Sequence, residues 1–173
     1  MNHADLVGLL KGGISESGGQ WADLGAGEGN FTLALGDLLG PGAHIIAVDR
    51  DRGALGVLAS RMPNVQVMTA DFTKPIGLHD LDGVVMANSL HFVRDKKPVL
   101  EAVTRMLKPG GRLIVVEYST DRGNPWVPHP FSFETWKWLA DEAGLVGTAL
   151  LGSVPSRYFG SMYSAVSRVP SPA

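Results

Sequence analysis

Short apolar runs alternate along the chain with segments whose apolar residues recur at helical spacing. The strand-like runs are QWADL, HIIAVD, VQVMTAD, LDGVVMANS and GRLIVVEYS, and segments such as FTLALGDLL and KKPVLEAVTRML lie between them. Strands that alternate with helices predict βαβ units, and therefore a parallel sheet with helices on both faces. The nearly continuous apolar runs IIAV and LIVV are typical of central strands that are covered on both sides.

The pattern changes after the last helical segment, SFETWKWLADEAG, for which Ser132 is the predicted N-cap and Gly144 the stop signal. Two extended runs follow, GTALLGSV and SMYSAVSRV, joined only by PSRYFG. Two strands joined so briefly must be antiparallel. At the two ends of the chain we predict a short amphipathic helix over residues 3–12 and a frayed tail from about 169 to 173.

Composition narrows the class of protein. The 173 residues are 45% hydrophobic, which is enough for a core and predicts one domain over residues 1–173. The net charge of -2 provides no field for a polyanion or an anionic membrane, so neither is an expected partner. The absence of cysteine excludes disulfides, thiolate nucleophiles and cysteine-ligated metals, and fits the cytoplasm. The N-terminal apolar run is too short for a signal peptide or membrane span.

The segment DLGAGEGN, between a strand-like run and a helical one, has glycine at every second position. Gly25, Gly27 and Gly29 indicate a loop whose main chain a ligand approaches closely, at the sheet edge where open α/β folds bind ligands. The spacing G-x-G-x-G is not the dinucleotide fingerprint G-x-G-x-x-G, because Asn30 stands where that pattern has its third glycine. The segment also lacks the G-K-[ST] sequence that a phosphate-binding loop requires.

Five segments resemble, in the same order, the motifs of the class I S-adenosylmethionine-dependent methyltransferases. They are DLGAGEG, IIAVDRD, TADF, LDGVVMANSLHF and LKPGGRLIVVE. The resemblance implies an α/β fold with a doubly wound, mostly parallel seven-stranded sheet, an antiparallel last strand and three α/β/α layers. It also implies S-adenosylmethionine as cofactor and S-adenosylhomocysteine as its product.

The same resemblance implies a set of cofactor-binding residues. The glycine loop closes over the methionine part, Asp49 holds the ribose hydroxyls, Asp71 meets the adenine amino group and Phe72 flanks the ring. These roles suit the chemistry, since a carboxylate accepts two hydrogen bonds from a diol and the cofactor has no pyrophosphate. The expected set is Asp23, Gly25, Ala26, Gly27, Gly29, Asp49, Arg50, Asp71, Phe72, Asn88 and Ser89.

Catalysis needs a base only if the methyl acceptor loses a proton. His91, just after the fourth strand, is the first candidate because the ordinary pKa of histidine lies near neutral pH, and His129 and Tyr118 follow. The alternative for His91 is a partly buried histidine that supports its loop. No histidine has metal-ligand spacing, so we expect no metal site.

The proline-rich stretch TDRGNPWVPHPF, residues 120–131, predicts a stiff loop beside the crevice. We expect Asn124 and Trp126 from this loop, and Arg157 from PSRYFG, to contact a small methyl acceptor. The alternative is a covering loop with Trp126 in the core.

Three other functions compete with a small-molecule methyltransferase that acts by in-line displacement. They are a nicotinamide-dependent oxidoreductase on a similar sheet, a non-catalytic cofactor-binding module and an RNA methyltransferase. The last is disfavoured because the composition shows no basic excess and NSLH replaces the amino-methylating motif N/D-P-P-Y/F/W. We expect a monomer or a homodimer.

Overall fold

The computed structural model describes residues 1–172, which form five helices and seven strands. The strands are β1 (Gln20–Leu24), β2 (His44–Asp49), β3 (Gln66–Thr69), β4 (Leu81–Ala87), β5 (Leu107–Tyr118), β6 (Val146–Pro155) and β7 (Ser161–Arg168). The helices are α1 (His3–Lys11), α2 (Asn30–Leu39), α3 (Arg52–Arg61), α4 (Lys97–Met106) and α5 (Phe133–Glu142). A single turn of 3-10 helix, Leu90–Phe92, follows β4.

All seven strands form one sheet in the order β3-β2-β1-β4-β5-β7-β6. Strands β1 to β5 pair in parallel, whereas β7 runs antiparallel to both β5 and β6. The predicted doubly wound sheet with an antiparallel last strand is therefore confirmed. The strand order reverses between β1 and β4, which places a ligand crevice outside the carboxyl ends of these two strands.

The core lies on both faces of the sheet, because each helix buries one apolar stripe against it. The helical spacing after Lys97 predicts one apolar face that contains Val99, Leu100, Val103, Met106 and Leu107. The first four are buried on α4, next to Trp136 of α5, whereas Leu107 is buried as the first residue of β5. Helices α1 and α2 cover the opposite face.

Polar side chains cap the N-termini of α1 and α5. Asn2 caps α1 with a capping box, and Ser132 caps α5 through a 3.3 Å bond from the Thr135 N–H, as predicted. At the other end, Val169 still exchanges backbone hydrogen bonds with residues 110 and 111. The last residue of the predicted tail, Ala173, lies outside the described residues. Within residues 1–172 no helix is long and apolar enough to cross a membrane.

Candidate active site

A cavity of about 280 Å³ opens where the strand order reverses. Its volume is close to the lower end of the roughly 300–1,000 Å³ typical of ligand pockets. Among the predicted cofactor residues, those that line it are Gly25, Asp49, Arg50, Asp71, Phe72, Asn88 and Ser89. The other four, Asp23, Ala26, Gly27 and Gly29, lie in or below the glycine loop and do not line it.

The glycine loop is folded onto the end of β2. The N–H groups of Gly25 and Ala26 both donate to the Val48 carbonyl, at 2.8 and 2.9 Å. Gly25 has a φ of +81°, and a Cβ there would lie 2.4 Å from the Ser89 Cβ. Only glycine therefore allows β1 and the loop after β4 to approach so closely at the floor of the crevice.

Gly29, the third glycine of the loop, is required for helix packing rather than for the floor of the crevice. Gly29 is the N-cap of α2 at a φ of +95°, and a Cβ there would lie 2.6 to 2.7 Å from side-chain atoms of Met62 and Leu58. It is needed for packing against α3. A Cβ on Gly27, by contrast, would meet no atom within 4 Å.

Two acids stand at the ends of the neighbouring strands β2 and β3. The Asp49 carboxylate accepts from the N–H groups of Gly27 (2.9 Å) and Asp51 (2.8 Å), which fixes its orientation. Asp71 accepts from the hydroxyl and the N–H of Thr73, and these bonds lower the pKa of Asp71. Asp71 is thus held ionised, and Phe72 beside it lines the cavity and packs on the core.

Asp23 lies beneath the loop rather than in the crevice. Its side chain is 1% exposed and accepts a 2.7 Å bond from the Thr32 hydroxyl of α2. Burial, together with the charge of Asp49, raises the pKa of Asp23 to about 7, against the opposing effect of the Thr32 bond. Asp23 therefore ties β1 to α2 and carries a proton at mildly acidic pH.

Asn88 lines the cavity and has a side-chain oxygen without a hydrogen-bond partner. It adopts a left-handed conformation with φ of +54°, and its N–H donates to the Val116 carbonyl at 2.9 Å. Its Oδ1 atom is buried and has no hydrogen-bond partner. A buried acceptor left without a partner is costly, so a ligand that brings a donor is favoured here. This orphaned oxygen, the two acids and the open glycine loop fit a cationic nucleoside better than a phosphate.

Beside the crevice His91 forms a buried pair with Glu117, the acid near the end of β5. His91 is 3% exposed and Glu117 is completely buried. The Nδ1 atom of His91 contacts Glu117 Oε2 at 2.8 Å, and the His91 N–H donates to Oε1 at 3.2 Å. Burial raises the pKa of Glu117, and the bonds from His91 oppose that rise. Because Nδ1 contacts Glu117, Nε2 is the ring nitrogen that remains available to a ligand.

The sequence pattern did not single out Lys96, yet its side chain is 94% buried in this region. Its ammonium donates to the carbonyls of Val93 (2.7 Å) and His129 (3.0 Å) and lies 5.2 Å from the centre of the Phe131 ring. Burial lowers the pKa of Lys96, and the nearby Glu117 opposes this. Lys96 thereby joins the loop after β4 to the loop of residues 120–131.

The remaining predicted residues do not line the cavity. The Tyr118 ring is 5.9 Å from that of His91, and His129 donates its N–H to the His91 carbonyl. Asn124 Oδ1 accepts from the N–H groups of Trp126 and Val127 and so shapes its own loop. Trp126 is 78% exposed, so the alternative that placed it in the core is wrong. Arg157 is exposed on the turn between β6 and β7.

In the described part of the chain, residues 1–172, no group of three or more His, Asp or Glu side chains is arranged to hold a metal ion. The site combines a crevice that has two oriented acids with a buried histidine–carboxyl pair beside it.

Comparisons with known proteins agree with this geometry. A family described as a methyltransferase domain matches residues 22–115, which is more than half of the chain. A ubiquinone/menaquinone biosynthesis C-methyltransferase, UbiE, of Ectopseudomonas mendocina is 34% identical over 115 residues, covering 62% of this chain and 44% of the relative. A demethylmenaquinone methyltransferase of Clavibacter sepedonicus is 35% identical over 57% of this chain and 40% of its own length. The chain spans less than half the length of these relatives.

Among solved structures, an S-adenosylmethionine-dependent methyltransferase of Aquifex aeolicus superposes with a TM-score of 0.74 at 19% identity, over 98% of this chain and 99% of that one. At this identity the likeness concerns the fold. Together with the match to the family over residues 22–115, it shows that the chain belongs to the class I S-adenosylmethionine-dependent methyltransferases.

Proposed function

We propose that the protein transfers a methyl group from S-adenosylmethionine to a small molecule that loses a proton in the reaction. The observation that carries this proposal is the buried His91–Glu117 pair beside the cavity. A histidine oriented by a buried carboxylate is the arrangement that general-base catalysis requires. A module that only stored the cofactor has no need for a histidine and a carboxyl group paired out of contact with water.

The cofactor supplies an electrophilic methyl group on a sulfonium. In our proposal Asp49 accepts hydrogen bonds from the ribose hydroxyls, and Asp71, kept ionised by Thr73, accepts from the adenine amino group. Phe72 packs against the adenine ring, and Asn88 accepts a hydrogen bond through its orphaned Oδ1. The glycine loop leaves room for the methionine part over the carboxyl end of β1.

In our proposal the methyl acceptor binds next to His91. Glu117 accepts from Nδ1–H and from the His91 backbone, which fixes the ring in the tautomer whose Nε2 carries a lone pair. His91 takes the proton that the acceptor loses as it gains the methyl group, and Glu117 stabilises the resulting imidazolium. Lys96 holds the neighbouring loops in place and balances the charge of Glu117.

A carbon or oxygen acid is the acceptor that this arrangement suits. The curated relatives are named for a C-methylation in ubiquinone and menaquinone biosynthesis and for demethylmenaquinone methylation, and methylation at carbon also requires a proton to leave. The near-neutral charge disfavours a nucleic acid as acceptor. We expect the enzyme to act in the cytoplasm as a monomer or a homodimer.

Isothermal titration of S-adenosylmethionine tests the cofactor part of the proposal. We expect Asp49→Ala to weaken binding by about 10- to 100-fold, because two charge-assisted hydrogen bonds are lost. The matched control is Asp37→Ala, an exposed acid of α2 outside the crevice, which should bind like the wild type. Equal affinity in the wild type and Asp49→Ala would refute the ribose assignment.

Transfer of labelled methyl from S-adenosylmethionine into a small-molecule extract tests the catalytic part. We expect labelled product with the wild type, and strongly reduced label with His91→Asn, whose cofactor affinity should be unchanged. Equal labelling by both proteins would show that His91 is not the base.

A further inference from the structure

Five ring side chains form a continuous row along the carboxyl ends of β4 and β5. The members of this aromatic row are Phe92, His91, Tyr118, Phe159 and Tyr158. The His91 ring lies 4.4 Å from Phe92 and 5.9 Å from Tyr118, measured between centroids. Tyr118 in turn lies 5.3 Å from Phe159 and 6.5 Å from Tyr158, the latter edge-on. These spacings are those of interacting aromatic pairs.

The row begins at the cofactor cavity and leads away from it. Phe92 lines the cavity, whereas Tyr158 and Phe159 belong to the turn between β6 and β7. The two end members are largely uncovered, since Phe92 is 60% exposed and Tyr158 is 63% exposed. Large aromatic side chains exposed next to a binding crevice mark a surface that a ligand covers.

The turn that carries the far end of the row is strained. Phe159 has a φ of +58°, which is unusual for a bulky side chain without a special local reason. Hydrogen bonds from Ser156 N–H to the Gly160 carbonyl, and from Ser161 N–H to the Phe159 carbonyl, hold this conformation. Strain of this kind gathers at ligand-binding sites. Here it places the Phe159 ring against Tyr118.

The middle of the row is polar and can orient a hydroxyl group. His91 offers the ring nitrogen that Glu117 does not engage. Burial raises the pKa of Tyr118, so its phenol keeps its proton and remains a donor. Apart from His91, no member of the row is an acidic or basic residue, so the row selects for an uncharged aromatic face with one hydrogen-bonding group.

We propose that the aromatic row is the acceptor site and that it takes a flat aromatic molecule with an acidic hydroxyl, which is methylated on that oxygen or on a ring carbon whose hydrogen then leaves as a proton. This inference rests on the proposed methyl transfer and specifies its substrate class. The ring of the acceptor covers Phe92 and Tyr158, and its acidic group meets His91 and Tyr118. Asn124 and Trp126 are then outside the acceptor site.

Binding of two alcohols of similar size to the protein saturated with S-adenosylhomocysteine tests the proposal. The probes are 2-naphthol, which is flat and aromatic, and decahydro-2-naphthol, its saturated counterpart. We expect 2-naphthol to bind at least about 5-fold more tightly, because ring stacking adds to the burial of apolar area. Equal affinity for the two alcohols, or no binding of 2-naphthol, would overturn the proposal.

Variants of the exposed rings locate the probe. Tyr158→Ala should weaken 2-naphthol binding about 5-fold, with the affinity for S-adenosylhomocysteine within about 2-fold of the wild type. Phe92→Ala should weaken 2-naphthol binding by a similar factor, measured with S-adenosylhomocysteine kept saturating for that variant because Phe92 also lines the cofactor cavity. Trp138→Ala is the matched control, since Trp138 is 62% exposed on α5 and not in the row. It should leave 2-naphthol binding unchanged.

Other outcomes separate the two proposals. If both row variants bind 2-naphthol like the wild type while sedimentation shows a change in oligomeric state, the row is a contact between copies of the chain and the proposal is wrong. If instead S-adenosylhomocysteine does not bind the wild type, the proposed function itself fails. Binding of the cofactor product without binding of 2-naphthol overturns only the acceptor assignment.

Discussion

Replacing Asp23 by asparagine changes how stability depends on pH, and the buried position of Asp23 fixes the sign. Asp23 is 1% exposed, and its pKa is raised from 3.8 to about 7, chiefly by burial. At a pH between these two pKa values, Asp23 keeps its proton in the folded protein but has lost it in the unfolded chain. Stability therefore falls as pH rises from about 4 to about 7.

The size of the effect follows from the two pKa values. The two pKa values differ by about three units, and each unit corresponds to about 1.4 kcal/mol. The free energy of unfolding therefore falls by about 4 kcal/mol between pH 4 and pH 7. Asn at position 23 keeps the shape of the side chain and an oxygen for the Thr32 hydroxyl, but it never ionises. We expect Asp23→Asn to resemble the wild type near pH 4, to become the more stable protein as the pH rises, and to be more stable by several kcal/mol at pH 8.

Urea unfolding at half-unit steps from pH 4 to pH 8 measures this difference. The matched control is Asp141→Asn, which removes an exposed acid of α5 and should leave the pH dependence as in the wild type. If Asp23→Asn and the wild type lose stability in parallel between pH 4 and pH 8, Asp23 does not hold a proton in the folded state. The burial argument for its raised pKa would then be wrong.

Three further predictions follow from single contacts. In Glu117→Gln the side chain offers one acceptor and one donor, whereas the His91 N–H and Nδ1–H need two acceptors. We therefore expect the His91 ring to shift to the Nε2–H tautomer, which ¹⁵N NMR detects. An unchanged tautomer would contradict the assignment of His91 as the base. Gly25→Ala and Gly144→Ala share a φ of +81°, but only Gly25 also clashes. Urea unfolding should therefore show Gly25→Ala to be about 1–3 kcal/mol less stable than Gly144→Ala, and equal losses would refute the clash. Tyr163→Phe removes a 2.7 Å bond to a backbone carbonyl and should cost about 1–3 kcal/mol, whereas a neutral effect would mean that water replaces it.

The sequence predicted the sheet because hydrophobic spacing is a local property. The runs IIAV within β2 and LIVV within β5 are apolar throughout, and the α4 stripe repeats at helical spacing. The glycine loop could be located for the same reason, since its spacing is visible in seven adjacent residues.

The chemistry of the site depended on long-range contacts that spacing does not encode. Glu117 meets His91 only because β4 and β5 pair in parallel, with Ala87 beside Val116. Lys96 follows an acid and precedes a second lysine, a pattern typical of a solvated surface, yet the loop of residues 120–131 covers it. Tryptophan is a large apolar residue of the kind found in protein cores, yet Trp126 is exposed. It lies in a loop whose prolines restrict the backbone, and hydrophobic spacing does not predict which side of such a loop faces solvent.

A crystal structure of the protein with S-adenosylhomocysteine tests the central claim most directly. We predict the ribose hydroxyls within hydrogen-bonding distance of Asp49, the adenine beside Asp71 and Phe72, and the sulfur on the side of the cavity that faces Asn88. A crevice that stays empty under saturating ligand, or S-adenosylhomocysteine bound away from Asp49, would contradict the account.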